Sequence, residues 1–186
     1  MSIYRISPEG TLTLTPHMAQ QEAWDSLARF IFLIGGTQLG KTVFGPWWLL
    51  REIQARGAGD YIAATASYDL FKLKMLPSIR EVFEHVLRIG RYWSGHRIIE
   101  LANPETGEFK AKRADDDMWG RIILRSAHAR GSLESATALA AWLDECGQDA
   151  FTILIWEAVL RRLAISQGRV LGTTTPYNMG YLKTEI

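Results

Sequence analysis

Phe30-Ile31-Phe32-Leu33-Ile34-Gly35-Gly36-Thr37-Gln38-Leu39-Gly40-Lys41-Thr42 is the stretch from which the rest of the chain is read. Its first five residues are apolar, aromatic or β-branched, which predicts a short buried strand. The strand runs straight into Gly35-x-x-x-x-Gly40-Lys41-Thr42, the pattern of a phosphate-binding loop. Glycines at its ends let successive N–H groups turn inward around a polyphosphate. Gly35, Gly36, Thr37, Gln38, Leu39 and Gly40 are the expected cradle. Lys41 is expected to reach the outer phosphates and the Thr42 hydroxyl to bind Mg²⁺. The helix that starts at the loop points its N-terminal dipole at the same anion. An accidental glycine-rich turn is the alternative, but this spacing should arise by chance in less than roughly one chain in a hundred of this length.

Outward from the loop, the pattern is that of an α/β protein. Upstream, residues 1–15 alternate weakly and predict a short edge strand or arm, and Pro16 opens a helix through about Ser26. Downstream, a helix should run from Lys41 to about Ala55, with Gly45-Pro46 producing a kink or a tightened turn. Trp47, Trp48, Leu49 and Leu50 read as core rather than as a base-stacking surface. Tyr61–Thr65 predicts a second buried strand, and helices are expected over Asp69–Met75 and Pro77–Leu87. Residues 96–126 predict a small antiparallel insertion, broken by Asn103-Pro104 and Gly107. Its Asp115-Asp116-Asp117 reads as a solvated loop, since no ligand spacing accompanies it. A third apolar run, Leu139–Leu143, ends in Asp144-Glu145, a helical pattern spans Phe151–Ile165, and Val170-Leu171 leads into Gly172-Thr173-Thr174-Thr175-Pro176. Strands alternating with helices imply a mainly parallel sheet flanked by helices.

Composition narrows the class. With 186 residues, 47% hydrophobic and 22% charged, the chain has the make-up of one ordinary folded domain. A net charge of +1 gives no general electrostatic grip on nucleic acid, although it leaves room for a local basic patch. The single cysteine, Cys146, forms no internal disulfide, and His17, His85, His96 and His128 show no ligand spacing. No signal peptide or long apolar run is evident, so a cytoplasmic setting without a membrane is expected.

The remaining chemistry sits at the ends of the later runs. A buried strand ending at Asp144 can hold a carboxylate opposite the metal at Thr42, and Glu145 is then placed to polarise the attacking water. Thr174 and Thr175 are expected to sense the outermost phosphate, the alternative being a simple strand-end turn. Gln20 offers the donor and acceptor that an adenine edge needs, the alternative being an exposed helix glutamine.

Taken in order, these pieces resemble the ATPase domain of the large terminase subunit of tailed bacteriophages. The resemblance rests on Pro16-His17-x-x-Gln20, Ala28-Arg29-Phe30 with the loop to Thr42, Tyr61-Ile62-Ala63-Ala64 with Tyr68-Asp69 and Leu76-Pro77, Leu133-Glu134-Ser135, Trp142-Leu143-Asp144-Glu145, and Gly172 to Pro176. It implies a phosphate-loop NTPase fold of the additional-strand, catalytic-glutamate type. It implies ATP and Mg²⁺ as cofactors, Glu145 as catalytic base alongside Lys41, and Gly172–Pro176 as the coupling element; the metal ligands remain Asp144 and Thr42. Double-stranded DNA, a portal protein, a small terminase subunit and a homo-oligomeric ring are its implied partners, in the cytoplasm of a bacterial host. Two departures stand out. Gly36-Thr37-Gln38-Leu39 carries no arginine, so a charge-stabilising arginine must come from Arg29, Arg130 or a neighbouring subunit. No nuclease constellation is present, and the chain is expected to be one ATPase domain at the N-terminal side of a longer protein. The leading expectation is an ATP-driven motor that moves DNA into a procapsid. The alternatives are a helicase-like translocase core and a nucleotide-gated assembly module with little turnover.

Overall fold

The computed structural model describes residues 3–127, 137–176 and 182–185. Two short strands, β1 (Tyr4–Ile6) and β2 (Leu12–Leu14), pair antiparallel as a separate hairpin. The hairpin is stapled to the core rather than free, because Tyr4 stacks on Trp47 at 5.3 Å and its hydroxyl donates to Glu81 at 2.7 Å. Helix α1 (Met18–Asp25) leads to β3 (Phe30–Ile34), then α2 (Lys41–Arg56) and β4 (Gly59–Thr65). A continuous helical run follows: α3 (Tyr68–Leu70), a π-helical turn over Phe71–Met75, α4 (Leu76–Arg80) and a second π-helical stretch over Glu81–Val86. Two helices were expected here. Ser67 caps the start by accepting from the Leu70 N–H, and Pro77 falls in the first turn of α4, so the run does not break. The chain then makes β5 (Gly90–Trp93), β6 (Ile98–Leu101), β7 (Gly120–Ser126), β8 (Ala138–Asp144), α5 (Ile153–Leu163), β9 (Arg169–Thr174) and α6 (Leu182–Glu185).

Among the described residues, seven strands form one sheet in the order β3-β9-β8-β4-β7-β6-β5. The first five are mutually parallel, whereas β6 and β5 add antiparallel at the edge. The expected antiparallel insertion is therefore smaller than its sequence span. Its last strand, β7, pairs parallel with β4 over seven residues and belongs to the main sheet. One strand, β9, separates the loop strand β3 from the acidic strand β8, the additional-strand arrangement expected above.

Alternation along the central strands splits the core in two. Tyr61, Ala63, Ala140, Trp142 and Leu171 face α2 and the long helical run, while Ile62, Ala64, Ala141, Leu143 and Val170 face α5. Trp47, Trp48, Trp142 and Tyr61 are fully buried, as core packing of the tryptophans predicts. Each such ring removes roughly 200 Å² from water, a gross gain on the order of 5 kcal/mol. The closest approach lies where α2 crosses β8. A Cβ on Gly45 would come 1.9 Å from Cε2 of Trp142, so only glycine lets the helix sit there.

Helix α2 runs unbroken through Pro46 instead of being interrupted. Proline cannot donate to the carbonyl four residues earlier, which is that of Thr42. That carbonyl accepts instead from the Ser78 hydroxyl of α4 at 2.9 Å. The lost helical bond is replaced by a tertiary one, and the first turn of α2 is tied to the helix beside it.

At the opposite ends of the strands, buried Glu52 accepts from Arg169 at 2.6 Å and from Arg56 at 3.1 Å. Arg169 also donates to the carbonyls of Ser26 and Ala28, so the group locks α1, α2 and β9 together.

Candidate nucleotide site

Three of the expected functional segments meet at the carboxyl ends of the parallel strands, where open α/β sheets bind ligands. The loop leaves β3, Asp144-Glu145 closes β8, and Thr174-Thr175 closes β9. Residues 37–43, Lys74, Glu145 and Thr175 line a cleft of about 180 Å³ there.

The loop is shaped by its own backbone. Gly40 is left-handed, with φ at 63°, and serves as N-cap of α2. Gln38 adopts φ of 72°, an unusual state for a side chain-bearing residue. Lys41 is only 6% exposed, and its ammonium donates to the Gly35 and Gly36 carbonyls at 2.8 and 2.7 Å. The cation is thus held at the base of the loop by two of its carbonyls.

Below it, four groups form one hydrogen-bonded chain. Trp142 Nε1 donates to Thr173 Oγ1 at 3.1 Å, and Thr173 Oγ1 donates to Asp144 Oδ1 at 2.7 Å. Thr42 Oγ1 donates to the other carboxylate oxygen at 2.9 Å. Burial pushes the Asp144 carboxyl up to about 6, partly offset by these hydroxyl bonds, while the neighbouring Glu145 adds to the rise and Lys41 opposes it. A buried carboxylate beside a hydroxyl, both hard oxygens, fits a cation such as Mg²⁺. The described residues hold no cluster of three or more acidic, histidine or cysteine ligands. An ion held by one carboxylate, one hydroxyl and the phosphates of a nucleotide needs none.

Glu145 follows in a left-handed turn, φ 53°, and lines the cleft. Its Oε2 accepts from the Thr175 N–H at 3.3 Å, so the end of β8 is bonded to the end of β9.

Gln20 is buried, at 1% exposure, rather than displayed on its helix. Its amide nitrogen donates to the Leu39 and Gly40 carbonyls, both at 3.3 Å, and its oxygen accepts from the His17 N–H at 3.1 Å. With both sides of the amide engaged, Gln20 braces the loop instead of offering a free edge to a base. His17 Nε2 lies 3.0 Å from the same Leu39 carbonyl and adds to the brace.

Of the two expected sensor hydroxyls, only Thr175 belongs to a cleft-lining residue. The Thr174 hydroxyl accepts from the Gly147 N–H at 3.0 Å and is committed to that turn. Thr173, not singled out in the sequence, is the one bonded to Asp144. Pairing of Asp144 with Thr173 in neighbouring strands places both on one face, a fact that only the sheet register contains.

Arg29 does not reach the site. It immediately precedes β3 and donates to the Gly168 and Leu163 carbonyls, one strand length, roughly 17 Å, from the loop. Arg130 and the Leu133-Glu134-Ser135 segment lie outside the described residues. The acidic triplet lies beside a second cleft of about 340 Å³ with Asp60 and Arg121. Asp60 pairs with Arg121, Asp116 accepts from the Lys112 and Arg113 N–H groups, and Asp117 pairs with Lys110. These bonds engage Asp116 and Asp117 within the loop and its neighbours.

Loop, acidic strand end and intervening strand build a phosphate-loop fold with an additional strand between β3 and β8. Solved structures narrow this to the fold of phage large terminase ATPase domains. The large terminase ATPase domain of a Thermus phage superposes with a TM-score of 0.67 at 19% identity, over 86% of this chain and 64% of that one. The large terminase of a thermophilic bacteriophage in complex with ATP-γ-S gives 0.67 at 10% identity, covering 91% and 40%. The large terminase of bacteriophage HK97 gives 0.63 at 14% identity, covering 96% and 37%. The chain spans less than two thirds of the length of each. No protein-family model and no curated sequence matches it.

Proposed function

We propose that this chain is a single ATP-hydrolysing domain and serves as the motor of a terminase large subunit, driving double-stranded DNA into a procapsid. The observation that carries this reading is the Thr42–Asp144 contact of 2.9 Å, with Glu145 next in the chain and lining the same cleft. It joins the loop to the acidic strand across β9, and it supplies a metal seat and a base side by side. Likeness in fold to terminase ATPase domains, one of them solved with ATP-γ-S, supports the choice of nucleotide and of work.

In this reading the loop N–H groups and Lys41 bind the phosphates, with the ammonium transferring from the Gly35 and Gly36 carbonyls to phosphate oxygens. Thr42 and Asp144 would hold Mg²⁺, which when bound neutralises charge on the outer phosphates. Glu145 accepts a proton from the attacking water, and its bond to the Thr175 N–H makes that segment the first to register a change at the outermost phosphate. Catalysis is then positioning and electrostatic stabilisation. A portal protein, a small terminase subunit and a ring of like subunits are the partners that such a motor implies. Among the described residues, no helix is long and apolar enough to cross a membrane.

The test is Mg²⁺-dependent ATP hydrolysis with and without duplex DNA. Lys41→Ala should lose binding and turnover. Glu145→Gln should keep ATP binding and lose about 10²–10⁴-fold in turnover. Turnover that survives Glu145→Gln would refute the assignment of the base, and indifference to duplex DNA would refute the motor.

A further inference from the structure

Transfer of the outermost phosphoryl group spreads negative charge over its equatorial oxygens, and sites for this reaction meet that charge with more than one cation. The variable part of the loop, Gly36-Thr37-Gln38-Leu39, has none, and Arg29 is bonded at the far end of β3. Among the described residues, two cations line the cleft, Lys41 from the loop side and Lys74 from the facing wall. Lys41 is buried at the base of the loop, whereas Lys74 is exposed at the mouth.

The setting of Lys74 is specific. It lies in the π-helical turn Phe71–Met75, in which the Leu76 N–H reaches back to the Phe71 carbonyl. Such turns are rare and concentrate at functional sites. Phe71 and Met75 are buried and anchor the turn, while Lys72, Leu73 and Lys74 are turned outward. One turn further, Ser78 donates to the Thr42 carbonyl that Pro46 leaves open. The element that carries Lys74 is therefore bonded to the residue proposed to seat the metal.

We infer that Lys74 supplies, from within this chain, a further positive charge beside that of Lys41 that meets the outermost phosphate of a bound nucleoside triphosphate. The inference rests on the ATPase reading above. In the step concerned, the water oxygen bonds to the outermost phosphorus and the bond from that phosphorus to the bridging oxygen breaks. The diphosphate leaves with the electron pair, and the water proton passes to Glu145. Lys74 remains protonated and pairs with the equatorial oxygens, whose charge is most exposed while the phosphoryl group is in transit. Its interaction is strongest there and absent from the diphosphate product.

The experiment compares binding of Mg²⁺–ADP with binding of Mg²⁺–ADP–aluminium fluoride, which mimics the group in transit, by calorimetry on wild type and variants. Lys74→Ala and Lys74→Gln should bind ADP within about twofold of wild type and lose at least about tenfold for the aluminium fluoride complex. Lys74→Arg should recover most of that loss. Where turnover is measured, kcat should fall with KM nearly unchanged. Analogue binding that survives Lys74→Ala, or equal loss for both ligands, overturns the inference alone. Wild-type protein that binds neither nucleotide overturns the ATPase reading and this inference together.

Discussion

Replacing Asp144 with asparagine sets folding against function at a single atom pair. The carboxyl is pushed from its ordinary 3.8 to about 6, chiefly by burial. At about 1.4 kcal/mol for each pH unit between the two values, the ionised group costs the folded protein about 3 kcal/mol at pH 8. Because the folded value lies above the unfolded one, this residue's contribution is fully present below about pH 4 and is lost as pH rises through 6. An asparagine at this position would not titrate. Its amide can still bond the Thr42 and Thr173 hydroxyls, which rotate to suit donor or acceptor. In metal-free buffer the advantage of Asp144→Asn should be near zero at pH 3.5, roughly half its full size at pH 5 and about 3 kcal/mol at pH 8. At pH 8 that corresponds to a Tm raised by about 6–12 °C for a chain of this size. Adding Mg²⁺ and ADP should reverse the order, since the charged carboxylate holds the ion far more strongly than a neutral amide oxygen. Thermal melts across this pH range, with and without Mg²⁺–ADP, provide the assay. A variant no more stable than wild type at pH 8, or a difference that does not change with pH, would refute the argument that burial penalises this charge.

Three further variants probe the frame around the site. Glu52→Ala leaves the partly buried Arg169 guanidinium without its carboxylate and should lower stability by about 3 kcal/mol in urea unfolding. Gly45→Ala drives a methyl group into the fully buried Trp142 ring and should cost at least about 1–3 kcal/mol, with a shift in near-UV circular dichroism from that tryptophan. Ser78→Ala strips the Thr42 carbonyl of its replacement donor and should cost about 1 kcal/mol by the same urea assay. A cost near zero would mean that solvent fills that bond.

Local signals were readable wherever one residue type is demanded by one backbone task. Phe30–Ile34 followed by Gly35-x-x-x-x-Gly40-Lys41-Thr42 specified a strand, a loop and the start of a helix, because strand propensity and left-handed glycine are properties of single positions. The apolar run ending in Asp144-Glu145 was legible for the same reason, and so was the buried tryptophan pair of α2. The strand β5 was not: Gly-Arg-Tyr-Trp is partly exposed throughout, and it becomes a strand through pairing with β6.

What the sequence determined by itself is which residue types stand at the strand ends: a glycine-rich loop, a lysine, a threonine hydroxyl and a pair of acids. What only the tertiary structure decided is who meets whom. Sheet register put Thr173, rather than Thr174, on Asp144. The packing of α1 turned Gln20 from a surface amide into a brace for the loop. The bond lost at Pro46 was made good by Ser78 from a different helix, on the wall that also presents Lys74 to the cleft. Each of these partners lies far away along the chain, and one-dimensional periodicity records which face a residue takes but not which neighbour waits there.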